Sequence, residues 1–219
     1  MTMSDLATQA VIALSIVLVV WYFVGSQMNR RRAMRLLRWI REGLPTLDGE
    51  ATMNWIGRSA FQVNVKKAKP PFKHLALMVL LEPREVLLVW LFNRLRGQRD
   101  LLVLKAELRN RPRAEAEVVP KGGRITRKIL KAIEGETWAK GEIEDADLLV
   151  LRKGTGAVSL AERLAPLLRE HAPDILRLSL RKESPQFLVN LSLPGLEEVT
   201  AEALFGLMQE MAEVMAFSK

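Results

Sequence analysis

With 219 residues, 49% of them hydrophobic and 26% charged, the chain can form one large domain or two small ones around a real core, which excludes general disorder. Cysteine is absent, so a disulfide framework and a thiolate nucleophile are excluded, and a reducing compartment suits the soluble part. The formal charge of +8 favours polyanionic neighbours, anionic lipid headgroups or RNA, without choosing between them.

No charged residue occurs between Asp5 and Arg30. From Leu6 to Gly25 the sequence supplies about the 20 apolar residues that a helix needs to cross roughly 30 Å of hydrocarbon. Trp21 and Tyr22 stand toward one end, where amphipathic rings prefer the headgroup layer. A cleaved signal peptide would start basic and end in small residues; here the start is acidic and the basic cluster follows the apolar run. Arg30, Arg31, Arg32, Arg35, Arg38 and Arg41 form that cluster and are read as contacts for lipid headgroups and other anions. By the positive-inside tendency the N-terminus lies outside and the remainder in the cytoplasm.

Residues 1–5 thus read as a short extracytoplasmic tail, 6–26 as a single-pass transmembrane helix and 27–45 as a basic juxtamembrane amphipathic helix. Residues 46–219 read as a cytoplasmic α+β domain, with a sub-boundary near 121–146. In the juxtamembrane helix Met34, Leu37, Ile40 and Leu44 share one face, and Gly43 with Pro45 ends it. Such a helix either lies along the lipid surface or merely orients the anchor.

A loop from Thr46 to Thr52 leads to Phe61, Val63 and Val65, which alternate with Gln62, Asn64 and Lys66 as in a half-buried strand. After Pro70-Pro71, Leu75 to Leu81 is its hairpin partner. Glu85 to Leu95 reads as a helix, and Arg99 to Arg109 with Ala114 to Val119 as two further strands. Lys121-Gly-Gly-Arg124 breaks the pattern before a basic helix, Ile125 to Ile133, and an acidic stretch from Glu134 to Asp147 reads as a solvated connection. Leu148 to Leu151 is a strand, and Ser159 with Glu162 has capping-box spacing for a helix reaching Glu170 that Pro166 kinks. Leu176, Leu178 and Leu180 alternate inward, as do Phe187, Val189, Leu191 and Leu193. Pro194-Gly195 then turns the chain into a helix carrying Leu204, Leu207, Met208, Met211 and Met215. The fold class is α+β: one N-terminal transmembrane helix, then mostly antiparallel sheet with packed helices.

The stretch Val86 to Phe92 is continuously apolar and is closed by Arg94, Arg96 and Arg99. A helix hydrophobic all round is buried on two sides or rests against lipid or a partner. Val86, Leu87, Val89, Trp90, Phe92, Arg94 and Arg96 are therefore candidate membrane- or partner-docking residues.

Catalytic chemistry is not legible. His74 and His171 stand alone at no metal-ligand spacing, and Gly154-Thr-Gly156 lacks the Walker spacing. The acidic run does not follow the calcium-loop pattern. The expectation is a protein without enzymatic activity, metal or cofactor. A lipid-modifying enzyme would need a nucleophile and base that the sequence does not display.

Four stretches, taken together, resemble the calumin family, the coiled-coil-domain membrane proteins of the PAT complex in the endoplasmic reticulum. They are the anchor running into VGSQMNRRRAMRLLRWIREGL, the Trp55-Ile-Gly-Arg58 entry to an alternating strand, the apolar helix followed by basic residues and a further strand, and FLVNLSLPG leading to GLMQEMAEVMAFSK. The likeness covers most of the chain from about residue 10 and rests on hydrophobic pattern rather than on an invariant motif. It implies a chaperone or adaptor role in multipass membrane-protein biogenesis beside the Sec translocon, with a small membrane-protein partner. The family's long acidic luminal region and basic coiled-coil tail have no counterpart here, so calcium binding is not carried over and ribosome contact stays open. A minimal prokaryotic relative at the plasma membrane is implied, or an endoplasmic-reticulum protein if the source is eukaryotic. The alternative is a membrane-tethered basic module that binds ribosome, RNA or anionic lipid; the five Trp, seven Phe and one Tyr mostly sit in apolar runs, which weakens base stacking.

Overall fold

A computed structural model describes residues 3–143, 146–154, 157–171, 175–193 and 199–216. Its first element, α1, is one helix from Met3 to Leu47. At 1.5 Å per residue it is about 67 Å long, more than twice what a bilayer core requires. Its first half is exposed, from Leu6 through Phe23 and Val24, with only Trp21 and Tyr22 half-covered. Its second half buries Asn29, Ala33, Leu36, Ile40 and Leu47, a stripe at three-to-four spacing, against the rest of the protein.

That continuity bears on both readings of the juxtamembrane segment, a helix along the lipid surface and a flank that orients the anchor. Residues 27–45 extend the same rod and spend their apolar stripe on the core. The stripe is also rotated: Ala33 and Leu36 face inward, while Met34 is exposed and Leu37 and Leu44 are half-covered. Gly43 and Pro45 do not end the helix. Gly43 is instead where α1 crosses the C-terminal helix, with Ala201 and Phe205 so near that a Cβ would stand 2.7–2.8 Å from them.

The remainder is a nine-stranded sheet: β1 (Glu50–Trp55), β2 (Ala60–Lys66), β3 (Phe72–Leu80), β4 (Leu101–Leu108), β5 (Glu115–Pro120), β6 (Ala139–Ile143), β7 (Leu148–Lys153), β8 (Ile175–Leu180) and β9 (Phe187–Ser192). The spatial order is β1-β2-β3-β4-β9-β8-β5-β7-β6, and every pairing is antiparallel. Between the strands lie α2 (Leu87–Leu95), α3 (Arg124–Ala132) and α4 (Ala157–His171), with α5 (Ala201–Ala216) last. The second half of α1, α4 and α5 cover one sheet face. Phe61, Val63, Leu77, Val79, Leu104, Val189 and Leu178 from that face join Leu36, Ile40, Leu164, Phe205 and Met208 in one core. On the other face α3 seals a smaller cluster of Val119, Ile129, Ile133 and Leu151.

Several sequence expectations give way to this topology. β4 and β5 do not pair: β4 lies between β3 and β9, and β5 between β8 and β7. The segments read as a loop before Thr52 and as a solvated acidic connection contain β1 and β6, the two edges of the sheet. Edge strands here bury almost nothing, so neither displays period-two alternation. Ser159 lies inside α4, which starts at Ala157, rather than capping it. A register shift between Ile175 and Arg177 puts Ile175 in the core and leaves Leu176 half-covered. The Pro194-Gly195 turn falls outside the described residues. In α5, Leu204, Met208 and Met211 are core.

Residue pairing defines the two ends of the sheet near α1. Trp55↔Phe61, Ala60↔Leu80 and Leu80↔Leu101 place the β1–β2 turn and α2 at one end. At the opposite end the Lys69 amide donates to the carbonyl of Leu47 at 2.7 Å. The rod therefore runs down the sheet, and its exposed half projects from the end that carries α2.

Candidate membrane-docking site

At the point where α1 leaves the sheet, seven polar residues, Asn29, Arg32, Ser59, Glu82, Arg84, Glu85 and Asp100, are drawn together from four segments. Asp100, first residue before β4, is 2% exposed and accepts from both Arg84 Nη1 and Nη2 at 3.0 Å, from Arg32 Nε at 2.6 Å and from the Glu82 amide at 2.8 Å. Asn29 of α1 donates to the Glu82 carbonyl at 2.9 Å and to Glu85 Oε2 at 2.8 Å, and its own oxygen accepts from Arg84 at 2.9 Å. Burial alone would raise the Asp100 carboxyl; the hydrogen bonds and charge of Arg84, the Glu82 amide and Arg32 outweigh it and hold the group below the ordinary aspartate value of 3.8. Gly25 completes the joint: a Cβ at this position would overlap the carbonyl of Arg84 and the Cα of Glu85. Polar groups buried this well in mutual hydrogen bonds fix a geometry rather than merely tether it. The rod and the sheet are locked to each other.

This joint was invisible in the sequence, because Asn29, Arg84 and Asp100 become neighbours only through the fold. One local signal existed: Glu82, Arg84, Glu85 and Asp100 bracket an apolar helix with charges that a simple core helix would not need.

Just beyond the joint sits α2. None of its residues is buried; Leu88 is 70% and Leu95 79% exposed, and Val86, Val89, Leu91 and Phe92 are exposed as well. No side chain caps its N-terminus. Nine residues with neither a side-chain cap nor a fully buried side chain make a marginal helix in water. Sequestering those six side chains from water is worth on the order of 5–10 kcal/mol. The inner side of α2 rests on the rod: Trp90 and Trp21 meet at 5.5 Å between ring centroids, and Trp21 Nε1 donates to the Arg84 carbonyl at 2.8 Å. At the other end of the helix the Arg96 guanidinium lies 3.7 Å over the Phe92 ring, and Arg94 reaches the buried Glu82 at 3.4 Å. Leu87 is half-covered.

The arginines of α1 divide. Arg32 turns inward to Asp100 and is mostly covered. Arg30, Arg31, Arg35, Arg38 and Arg41 remain exposed on the outer side of the rod and, among the described residues, form no ion pair. Nor is there, among the described residues, a group of three or more His, Asp or Glu that could hold a metal ion. His74 is exposed on β3.

The fold and this site define an α+β chain with one N-terminal helix long and apolar enough to cross a membrane, joined rigidly to an antiparallel sheet. No protein-family model matches the chain, and no curated protein matches its sequence.

Proposed function

We propose that this protein is a non-enzymatic, membrane-anchored adaptor that assists insertion of multipass membrane proteins beside the Sec translocon. In this reading the first half of α1 spans the bilayer with the N-terminus outside, and the sheet domain hangs from it in the cytoplasm. The observation that carries the reading is α2: an apolar helix with no buried residue, held by Trp90 on Trp21 at the level where the rod emerges. A surface of that kind, placed at the bilayer rim, suits apolar segments that have left the channel and are not yet packed. The arginines on the outer side of α1 and at the end of α2 match the anionic inner leaflet.

Photo-reactive residues at Leu88 and Phe92, in membranes engaged in synthesis of a multipass protein, test the proposal. Capture of the nascent apolar segments or of the channel is expected. Crosslinks confined to lipid and to the protein's own α1 overturn it.

A further inference from the structure

α2 touches the rod on one flank only. On another flank, one residue further round the helix, lies the β1–β2 turn, Trp55-Ile56-Gly57-Arg58. The Arg58 guanidinium stands 5.4 Å over the Tyr22 ring, so the turn reaches the same level of the rod as α2, which is marked by Trp21. Ile56 is 52% exposed at the tip of this turn, and Trp55 is 47% exposed although its ring meets Phe61 at 5.6 Å. Gly57 takes φ +130°, a conformation that other residues rarely adopt, and a Cβ there would meet nothing within 4 Å. The turn is thus shaped by its own glycine, and its apolar side chains Trp55 and Ile56 are each half exposed.

We infer that the Trp55–Arg58 turn is a second lipid-contacting element, seated with α2 in the interfacial layer of the leaflet from which α1 emerges. This rests on the reading that α1 spans the membrane. The composition fits a phospholipid surface. Trp and Tyr favour the headgroup layer, an aliphatic side chain reaches below it, and an arginine stays at phosphate level. Its height fits too, since contact with Tyr22 fixes the turn at the plane of the aromatic pair that marks the boundary of the apolar span. Three elements then meet the bilayer at one plane, and the domain is held against rotation about the rod as well as against departure from it.

The absence of cysteine makes the test clean. Single cysteines are introduced in the full chain at Ile56, at Leu91 and at Lys69 on the opposite end of the sheet, labelled with an environment-sensitive fluorophore, and the protein is reconstituted in nanodiscs of phosphatidylcholine and phosphatidylglycerol. Lipids carrying a nitroxide near the top of the acyl chain should quench the labels at 56 and 91 several-fold more than the label at 69. In the chains labelled at 56 and at 91, Arg58→Glu should reduce quenching at 56 while that at 91 persists. If the label at 56 is as wet and as unquenched as that at 69 while 91 is quenched, the turn does not touch lipid and the inference is overturned with α2 docking intact. If neither 56 nor 91 is quenched, the interfacial seat as a whole is wrong, whatever the crosslinking at Leu88 and Phe92 reports about clients.

Discussion

Asp100 is the side chain on which the junction between rod and sheet turns. It is 2% exposed, and its partners Arg32 and Arg84 are mostly covered, so replacing it removes the one carboxylate that both guanidiniums share and leaves Arg84 only the more distant Glu82 at 3.9 Å. Asp100→Asn is expected to destabilise the folded chain by about 2–3 kcal/mol, at the lower edge of what breaking one partner of a buried pair costs, because the arginines retain some water. Chemical denaturation in detergent measures it. The pH dependence has a definite sign. The folded carboxyl titrates below its unfolded value of 3.8, so the stabilisation is complete above that value and is lost as pH falls through the lower folded one. Acidification below about pH 4 should therefore loosen the α1 junction, seen as faster amide exchange around Asn29 and Arg84, and Asp100→Asn should abolish that acid-dependent step. Gly25 works beside it through the space it leaves empty. Gly25→Val should push the rod off Arg84 and cost about 1–3 kcal/mol.

At the scale of elements the contrast is between helices that belong to the core and one that does not. Every residue of α2 is at least partly exposed, so Leu95→Glu should change the stability of the detergent-solubilised chain by less than about 0.5 kcal/mol while weakening whatever contacts α2 makes. Gly43→Leu, by contrast, inserts bulk where α1 crosses α5 at Ala201 and Phe205 and should lower the unfolding midpoint clearly. The central strands were readable in advance, because Phe61, Val63 and Val65, or Phe187, Val189 and Leu191, obey period two when one face is packed and the other open. β1 and β6 were not, since two strands that bury only Ile143 between them print no pattern. The apolar stripe of α1 was read one residue out of phase, at Met34 and Leu37 instead of Ala33 and Leu36, because a small buried alanine carries less hydrophobic signal than the methionine beside it. Of the docking site, the apolar run from Val86 to Phe92 stood out as a segment needing cover. Its polar seat, built from Asn29, Arg84 and Asp100, could not be read, since hydrogen-bond partners 16 to 68 residues apart form no short-range motif.

For the molecule as a whole, the order β1-β2-β3-β4-β9-β8-β5-β7-β6 threads the C-terminal strands β8 and β9 into the middle of the sheet. Residues 121–146 carry α3 and β6 without dividing it. The last strand to be synthesised thus joins β4 to β8, and α5 then closes over the rod. A chain stopped before Phe187 lacks the strand that pairs with both β4 and β8. It is expected to expose the core face and to be digested rapidly by protease, whereas the complete chain resists.

An uninterrupted α1 has a mechanical corollary. From Gly25 to Leu47 the rod continues for about 33 Å as the spine of the domain. A span that is long for its bilayer responds by leaning over. With α1 across the membrane, each lean of about 10° would sweep the Leu47 end sideways by roughly 6 Å, since no hinge intervenes to absorb it. The sheet would then act as the pointer of a gauge, its position above the surface set by the thickness of the lipid in which its stem stands.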